Sequence, residues 1–302
     1  MTSAAALKRR WTTPTGRSSA ADILRRLQTG EALGDLGLDT VDARVDLRGI
    51  TFGARYLRFT GVRLTGLDLS HADVSLVELT GCQLDDCRFE RAVCRDWKVF
   101  ATDVTDCSFA GANLRDSSLG YWHGGRGSVY ERVSFVGAKL IDASTLTAVY
   151  RDCDFSSAQL QKVNFWQSSL IRCRFAGPVK DVIFDGRVLG EPKPDPNPME
   201  DVDFTDARLE NCTFRGVRFD RVRLPKDPDL VLIPDVAMYD RVIALAQANL
   251  EPEPARFAAT FLDLSRRTKP PGSATLLNLR DLAPYGAEIG EILVMAGGVR
   301  QG

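Results

Sequence analysis

The sequence has little of what usually marks a metal site, a membrane span or a secretory leader. Its 302 residues include only two histidines and four methionines, and the formal net charge is −1. No apolar run approaches the roughly 20 residues that a membrane-spanning helix needs. The N-terminus is basic at Lys8, Arg9 and Arg10 and has no apolar segment behind these residues, so we expect no secretory signal. These absences favour a globular protein of the cytoplasm.

The seven cysteines lack the spacing of a metal or redox motif. No Cys-x-x-Cys occurs, and neither His71 nor His123 stands at a spacing typical of a zinc site. A metal or disulfide role is the alternative, but the pattern favours free thiols buried as small apolar side chains. We therefore expect no metal and no cofactor.

Instead, over long stretches of the sequence, an apolar residue stands at every fifth position. A second, usually small residue, such as Ala72, Cys82 or Cys107, stands two places before most of these centres. A period of five matches neither the 3.6 of a helix nor the 2 of a strand. A chain that turns a corner every five residues would hold all these side chains inside a solenoid. The longest uninterrupted series of centres is Phe59, Leu64, Leu69, Val74, Leu79, Leu84, Phe89, Cys94, Val99, Val104, Phe109, Leu114 and Leu119.

Three five-residue segments, at 112–116, 153–157 and 202–206, fit the pattern A-(D/N)-L-x-x. Over about 41–224 the chain therefore resembles the pentapeptide-repeat family. The resemblance implies a mainly β protein: a right-handed, quadrilateral parallel β-helix with four pentapeptides per coil. The 28 centres counted from the sequence would make seven coils, or a rod of roughly 34 Å at ~4.8 Å per coil. Trp97 occupies a small-residue position, so we expect local distortion or a slipped register there.

The sequence predicts three regions. Residues 1–40 would form a flexible arm and a helix. The arm would extend to residue 17, with its Trp11 packed against the body of the protein, and the helix would occupy 20–28. Ser18 or Ser19 would cap this helix and Gly30 would end it. The helix would cover the exposed apolar end of the solenoid, although it could instead bind a partner protein.

The repeats occupy 41–224, and 225–302 reads as helical, with helices expected at 236–249, 254–267, 274–282 and 287–296. The apolar faces of this region would pack on the last coil, on each other, or on a second copy of the chain. The third arrangement would make a homodimer through 229–302.

Two insertions interrupt the repeats, at about 120–132 and 185–203. Loops that leave a rigid scaffold often carry binding residues. The candidates in the first loop are Tyr121, Trp122, His123, Arg126 and Tyr130. Those in the second, which alternates with proline, are Glu191, Lys193, Asp195 and Asn197.

No nucleophile and base stand at a catalytic spacing, so we expect a protein that is not an enzyme and that binds another protein through its rigid outer surface. The resemblance suggests an alternative, since the best-known family members imitate duplex DNA, bind DNA gyrase or topoisomerase IV, and protect it from quinolones or toxins. Mimicry requires a continuous negative surface, whereas the charges of 41–224 nearly cancel. Direct binding to nucleic acid or membrane is not expected.

Overall fold

The computed structural model describes residues 3–53, 55–186, 199–267, 274–286 and 288–302. Two helices precede the repeats: α1 (Ala4–Arg9) and α2 (Pro14–Thr29), with a 3-10 turn at Arg10–Thr12 between them. Helix α2 is capped by the Thr13 side chain, has proline at its start and ends at Gly30 with φ 74°. The predicted stop at Gly30 is confirmed, whereas the flexible arm and the Ser18 or Ser19 cap were wrong.

The repeat region consists of short strands joined by corners, preceded by a two-strand antiparallel pair. In chain order the strands are β1 (Thr40–Val41), β2 (Arg44–Asp46), β3 (Leu57–Thr60), β4 (Arg63–Thr65), β5 (Leu67–Asp68), β6 (Val77–Thr80), β7 (Gln83–Asp85), β8 (Lys98–Phe100), β9 (Asp103–Thr105), β10 (Val129–Glu131), β11 (Val149–Arg151), β12 (Asn164–Trp166), β13 (Ser169–Ile171), β14 (Arg174–Lys180), β15 (Ile183–Asp185), β16 (Met199–Glu200), β17 (Val202–Glu210), β18 (Thr213–Arg215) and β19 (Val222–Arg223).

Parallel pairing at an offset of one coil builds a right-handed β-helix with four faces. Leu64 pairs with Leu84 and Leu84 pairs with Val104, each twenty residues later. One face is a seven-stranded sheet in the order β4-β7-β9-β10-β11-β13-β16. The face that begins at β2 and ends at β19 has nine stacked levels, so the prediction of seven coils was too low. Between Thr51 and Asp73 the offset is 22, because the first coil has two extra residues before Phe59.

The interior is a ladder of apolar side chains at the spacing of the coils. Phe135 and Phe155 stack with ring centroids 4.9 Å apart, and Phe155 stacks on Phe175 at the same distance. Six of the seven cysteines are buried, and Cys212 is partly buried. Their positions confirm that the thiols act as small core residues.

The corners explain why the polar repeat positions are rich in aspartate and glycine. Asp86, Asp106 and Asp152 adopt φ near 52°, and Gly61 and Gly81 adopt φ of 64° and 63°. This left-handed conformation is costly for most L-residues, and glycine and aspartate adopt it most readily. The sequence therefore encodes a turn at each corner as well as an inward residue on each face.

Trp97 preserves the regular register, so the expected distortion was wrong. The next residue, Lys98, pairs with Glu78 at the usual offset of twenty. The indole is buried and lies edge-on to Phe89 and Phe109. The neighbouring centre, Cys94, is small, which leaves room for the larger ring.

Helix α2 covers the N-terminal end of the coil, as predicted, because Ile23, Leu24 and Leu27 belong to the same apolar core as the repeats. Trp11 packs on the body, and its indole Nε1 donates to the Arg48 carbonyl oxygen at 2.9 Å. The cap therefore closes an apolar end that water would otherwise reach.

The C-terminal region contains strands as well as helices, which the helical expectation for 225–302 missed. Its elements are β20 (Asp227–Ile233), a 3-10 turn (Val236–Met238), α3 (Tyr239–Asn249), α4 (Pro252–Arg267), β21 (Thr275–Asn278), α5 (Leu279–Leu282), a 3-10 turn (Ala283–Tyr285), α6 (Ile289–Met295) and β22 (Val299–Gln301).

An antiparallel sheet in the order β21-β20-β22 joins these helices to the last coil. Alternate residues of β20 face opposite ways, as a strand requires. Leu230 lies in the core of the β-helix, whereas Val231 and Ile233 lie in a second core with the helices. The sheet therefore closes the C-terminal end of the β-helix on one face and supports the helical layer on the other.

Candidate protein-interaction surface

The first insertion lengthens one coil by six residues without breaking the sheet. Gln83 pairs with Asp103, twenty residues later, whereas Asp103 pairs with Val129, twenty-six residues later. The pairing then returns to twenty between Val129 and Val149. The extra residues therefore bulge out between Leu119 and Val129.

The tip of this loop is a tight two-residue turn. The backbone N–H of His123 donates to the carbonyl oxygen of Arg126 at 2.9 Å, and the reverse bond measures 3.2 Å. Gly124 and Gly125 between them have φ of 57° and 86°. Two consecutive positive values are the geometry of a type I′ turn, which glycine adopts most readily. The Gly-Gly pair thus sets the shape of the loop.

Contacts to the coil below hold the loop in place. The guanidinium of Arg126 pairs with the Asp103 carboxylate at 2.6 Å and also donates to the carbonyl oxygen of Ala101. A Cβ atom on Gly127 would lie 2.1 Å from the carbonyl oxygen of Thr147, so only glycine allows this close approach. The loop is therefore anchored at its outgoing side by an ion pair and by backbone contact.

The loop carries aromatic side chains onto one face of the β-helix. Tyr121 is 51% exposed and meets Phe100 edge-on at 6.0 Å, and Trp122 is 46% exposed. His123 is also exposed and lies 6.3 Å from the Phe100 ring. The sequence-predicted residues Tyr121, Trp122, His123 and Arg126 thus share one loop.

Two aromatic side chains outside the loop, Phe100 and Trp166, were not predicted from the sequence. Lys98, Ser118, Ser144 and Asn164 pair in one ladder, so the residues two places later share an outward column. Phe100 and Leu146 are half-buried in this column, and Trp166 is 37% exposed. Three coils separate the ends, or roughly 14 Å. We call Phe100, Tyr121, Trp122 and Trp166 the aromatic surface.

Tyr130 does not belong to this loop, which corrects the sequence prediction. It lies in β10, pairs with Val104 and Tyr150, and is 2% exposed. Its hydroxyl donates to the carbonyl oxygen of Leu119 at 2.6 Å, and burial raises its pKa well above the ordinary range of tyrosine. The insertion is thus shorter than 120–132, because tyrosine here takes the place of a repeat centre.

The second predicted loop falls outside the described residues. Glu191, Lys193, Asp195 and Asn197 all lie in 187–198. Of the predicted range 185–203, Asp185 ends β15, and β16 and β17 begin at Met199 and Val202.

Ion pairs between coils balance the charge along one edge of the β-helix. Arg132 pairs with Asp106 at 2.7 Å, and Arg172 pairs with Asp152 at 2.7 Å. Arg221 pairs with Asp201 in the same way. Hydrogen bonds from the arginines lower the pKa of Asp106 and Asp152. Asp106, Asp152 and Asp201 thus each face an arginine of the next coil, and the edge presents alternating charge from Asp106 to Arg221.

Metal sites and membrane spans are both absent from the part of the chain that the structure describes. Across 3–53, 55–186, 199–267, 274–286 and 288–302, no group of three or more His, Cys, Asp or Glu side chains is placed to hold a metal ion. Within the same ranges, no helix has the length and apolar character needed to cross a membrane.

Comparison with known proteins identifies the repeats. The family model described as pentapeptide repeats matches residues 58–93 and 151–177, in eight copies. No curated protein matches the chain.

Similar solved structures include trypsin-treated QnrB1, described as a plasmid-mediated fluoroquinolone resistance protein, at 22% identity and a TM-score of 0.37, covering 60% of this chain and 83% of that one. Another is HetL, a pentapeptide repeat protein of the cyanobacterium Nostoc sp. strain PCC 7120 involved in heterocyst differentiation regulation. It matches at 16% identity and a TM-score of 0.30, covering 67% of this chain and 93% of that one.

Proposed function

The chain belongs to the pentapeptide-repeat proteins, and we propose that it acts by binding another protein through the aromatic surface. The observation that carries this proposal is the exposure of three large aromatic side chains, Tyr121 and Trp122 in the loop and Trp166 in the neighbouring column, each at least 37% exposed. Exposed apolar patches mark interaction sites, and tryptophan and tyrosine are enriched among the residues that dominate binding energy.

The anchoring of the loop supports this role. Ordering a mobile loop on binding costs free energy, whereas the Arg126–Asp103 pair and the close approach of Gly127 hold this loop in the free protein. A partner would therefore meet a preformed surface.

The free thiols of the chain suit a reducing compartment such as the cytoplasm.

Affinity capture with matched variants tests the proposal. The bait protein would be compared with Trp122→Ala/Trp166→Ala and with the control Val136→Ala, which removes an exposed apolar side chain outside the aromatic surface. A stoichiometric partner should bind the wild type and the control, and its affinity for the double variant should fall by at least tenfold. Equal binding to all three proteins would reject the aromatic surface as the site.

A narrower form of the proposal takes DNA gyrase or topoisomerase IV as the partner. The β-helical rod and its protruding loop support this partner. DNA mimicry, however, requires a run of unpaired carboxylates, and the ion pairs Asp106–Arg132 and Asp152–Arg172 argue against such a run. If gyrase is the partner, purified protein should alter supercoiling or relieve fluoroquinolone inhibition, and Trp122→Ala/Trp166→Ala should not. No effect at micromolar protein would exclude this partner.

We also propose a homodimer through the C-terminal region. Strand β22 is at the edge of its sheet, and Val299 in it and Met295 at the end of α6 are 54% and 55% exposed. An open sheet edge with apolar side chains favours pairing with a second copy. Sedimentation should show a dimer that Val299→Asp weakens, and a monomer at all concentrations would reject it.

A further inference from the structure

A groove of about 600 Å³ lies between helix α2 and the beginning of the β-helix, far along the chain from the aromatic surface. Helix α2 and the turn before it form one wall, and the first coil forms the other. The lining residues are Lys8, Trp11, Thr12, Arg17, Ala20, Ala21, Leu24, Thr51, Phe52, Gly53 and Arg55.

Both walls are held in place by polar contacts. Arg10 donates to the two carboxylate oxygens of Asp46 at 2.9 and 2.6 Å. The Trp11 indole is fixed to the Arg48 carbonyl oxygen on one edge and lies under the Arg10 guanidinium, 4.6 Å from the ring centre. The groove is therefore a fixed feature of the capped end.

The charged side chains that line the groove have one sign. Lys8, Arg17 and Arg55 are all exposed cations, and none of the described lining residues is acidic. A ligand that complements this groove must carry negative charge.

The apolar part of the lining narrows the class of ligand. The half-buried Trp11 offers apolar surface, Leu24 and Phe52 form the apolar floor at 8% and 9% exposure, and Ala20 and Gly53 leave space for close approach. A bare polyanion would use none of this surface, whereas a peptide with alternating apolar and acidic side chains would use both.

The first coil also presents a free strand edge in the groove. Phe52 N–H donates to Asp73 O at 2.9 Å, and Asp73 N–H donates to Ile50 O at 2.8 Å. The N–H and C=O of Thr51 between them therefore turn away from the second coil, and within the described residues neither has a hydrogen-bond partner. Such an edge pairs readily with an extended peptide.

We propose that this groove binds an extended acidic segment of a partner protein. The backbone of the segment pairs with Thr51, its carboxylates meet Lys8, Arg17 and Arg55, and its apolar side chains pack on Trp11 and the floor of the groove. The site is independent of the aromatic surface and gives the rod a second point of attachment.

Fluorescence anisotropy tests this with a labelled peptide of alternating glutamate and leucine, beside the same peptide with lysine for glutamate. The acidic peptide should bind saturably and more weakly as salt rises, and the lysine peptide should not bind. Lys8→Glu/Arg17→Glu should weaken binding by roughly tenfold. The control Arg9→Glu/Arg63→Glu, which makes the same change in net charge at exposed residues outside the groove, should change it by less than about twofold.

Two further measurements separate the groove from general attraction. An acidic peptide methylated on alternate backbone nitrogens should bind several-fold more weakly, because it cannot pair with Thr51. Trp122→Ala/Trp166→Ala should leave binding unchanged. If Lys8→Glu/Arg17→Glu does not fold, as judged by circular dichroism, Arg55→Glu alone should weaken binding by about threefold.

Several results would overturn the proposal. These are no saturable binding of the acidic peptide at millimolar concentration, equal losses in the groove variant and its control, or tighter binding of a single-stranded oligonucleotide than of the acidic peptide. An unchanged affinity for the methylated peptide would show that the segment does not bind by strand pairing with Thr51.

Discussion

The indole Nε1 of Trp97 donates a hydrogen bond of 2.6 Å to the carbonyl oxygen of Val74, which lies 23 residues earlier in the chain. The bond joins neighbouring coils, and the ring lies 5.3 Å from Phe89 and 5.9 Å from Phe109 between centroids. The residue that departs most from the repeat pattern is thus a link in the core.

Trp97→Ala should lower the free energy of unfolding by about 3–5 kcal/mol, because it leaves a large cavity and an unpaired carbonyl oxygen. Trp97→Phe keeps most of the apolar contact and should cost about 1–3 kcal/mol. Urea denaturation followed by circular dichroism measures both. The control Trp122→Ala, at an exposed position, should change stability by no more than about 0.5 kcal/mol. Equal losses in all three would contradict the packing described here.

The salt link between Arg10 and Asp46 should make the N-terminal cap sensitive to acid. Burial alone would raise the pKa of Asp46, but hydrogen bonds from Arg48 and Arg10 outweigh it and hold the pKa well below its usual range. A depressed folded pKa contributes stability above the unfolded value of about 3.9, and this contribution is lost as pH falls toward the folded pKa.

Asp46→Asn should therefore destabilise the cap by roughly 2 kcal/mol at neutral pH. The difference between wild type and variant should shrink as pH falls below about 4. Melting curves at pH 7, 5 and 3 test this, with Asp35→Asn as an exposed control that should change little. A difference that stays constant over this range would show that Asp46 is not held ionised by its arginines.

The repeat period was sufficient to predict the coil, because each inward position is an independent local choice repeated many times. It was not sufficient at Tyr130, which is buried at a repeat centre. The insertion before this residue interrupts the period, so the sequence pattern assigned Tyr130 to the loop. It also missed β20, whose pairing with β21 joins residues more than forty positions apart and is invisible to local periodicity.

The candidate site divides in the same way. The exposed loop residues Tyr121 and Trp122 could be found from the break in the pattern. Trp166 could not, because a single outward position within an unbroken repeat becomes part of a patch only when the column that contains Phe100 is known.

Gly127 and Gly124 should respond very differently to alanine. At Gly127 a Cβ would lie 2.1 Å from a backbone oxygen, so Gly127→Ala must displace the loop. At Gly124 no atom lies within 4 Å, and only the positive φ opposes a side chain, at a cost of about 1 kcal/mol. Limited proteolysis should cleave 120–128 much faster in Gly127→Ala than in Gly124→Ala. Equal rates would contradict the anchoring of the loop.

Thiol reactivity tests the interior of the whole coil. Burial raises the pKa of Cys82 and Cys94, and it raises the pKa of the partly buried Cys212 to about 12. Because the thiolate is the reactive form, the folded protein at pH 8 should react very slowly with a disulfide reagent.

Cys212 should react first, since it alone among the seven cysteines is not fully buried. Cys212→Ser should remove this earliest phase and leave the other six thiols protected until the chain unfolds in guanidinium. Rapid labelling of Cys87 or Cys153 in the folded state would mean that the coils open readily. In that case the outer surface would not be the rigid platform on which the proposed binding depends.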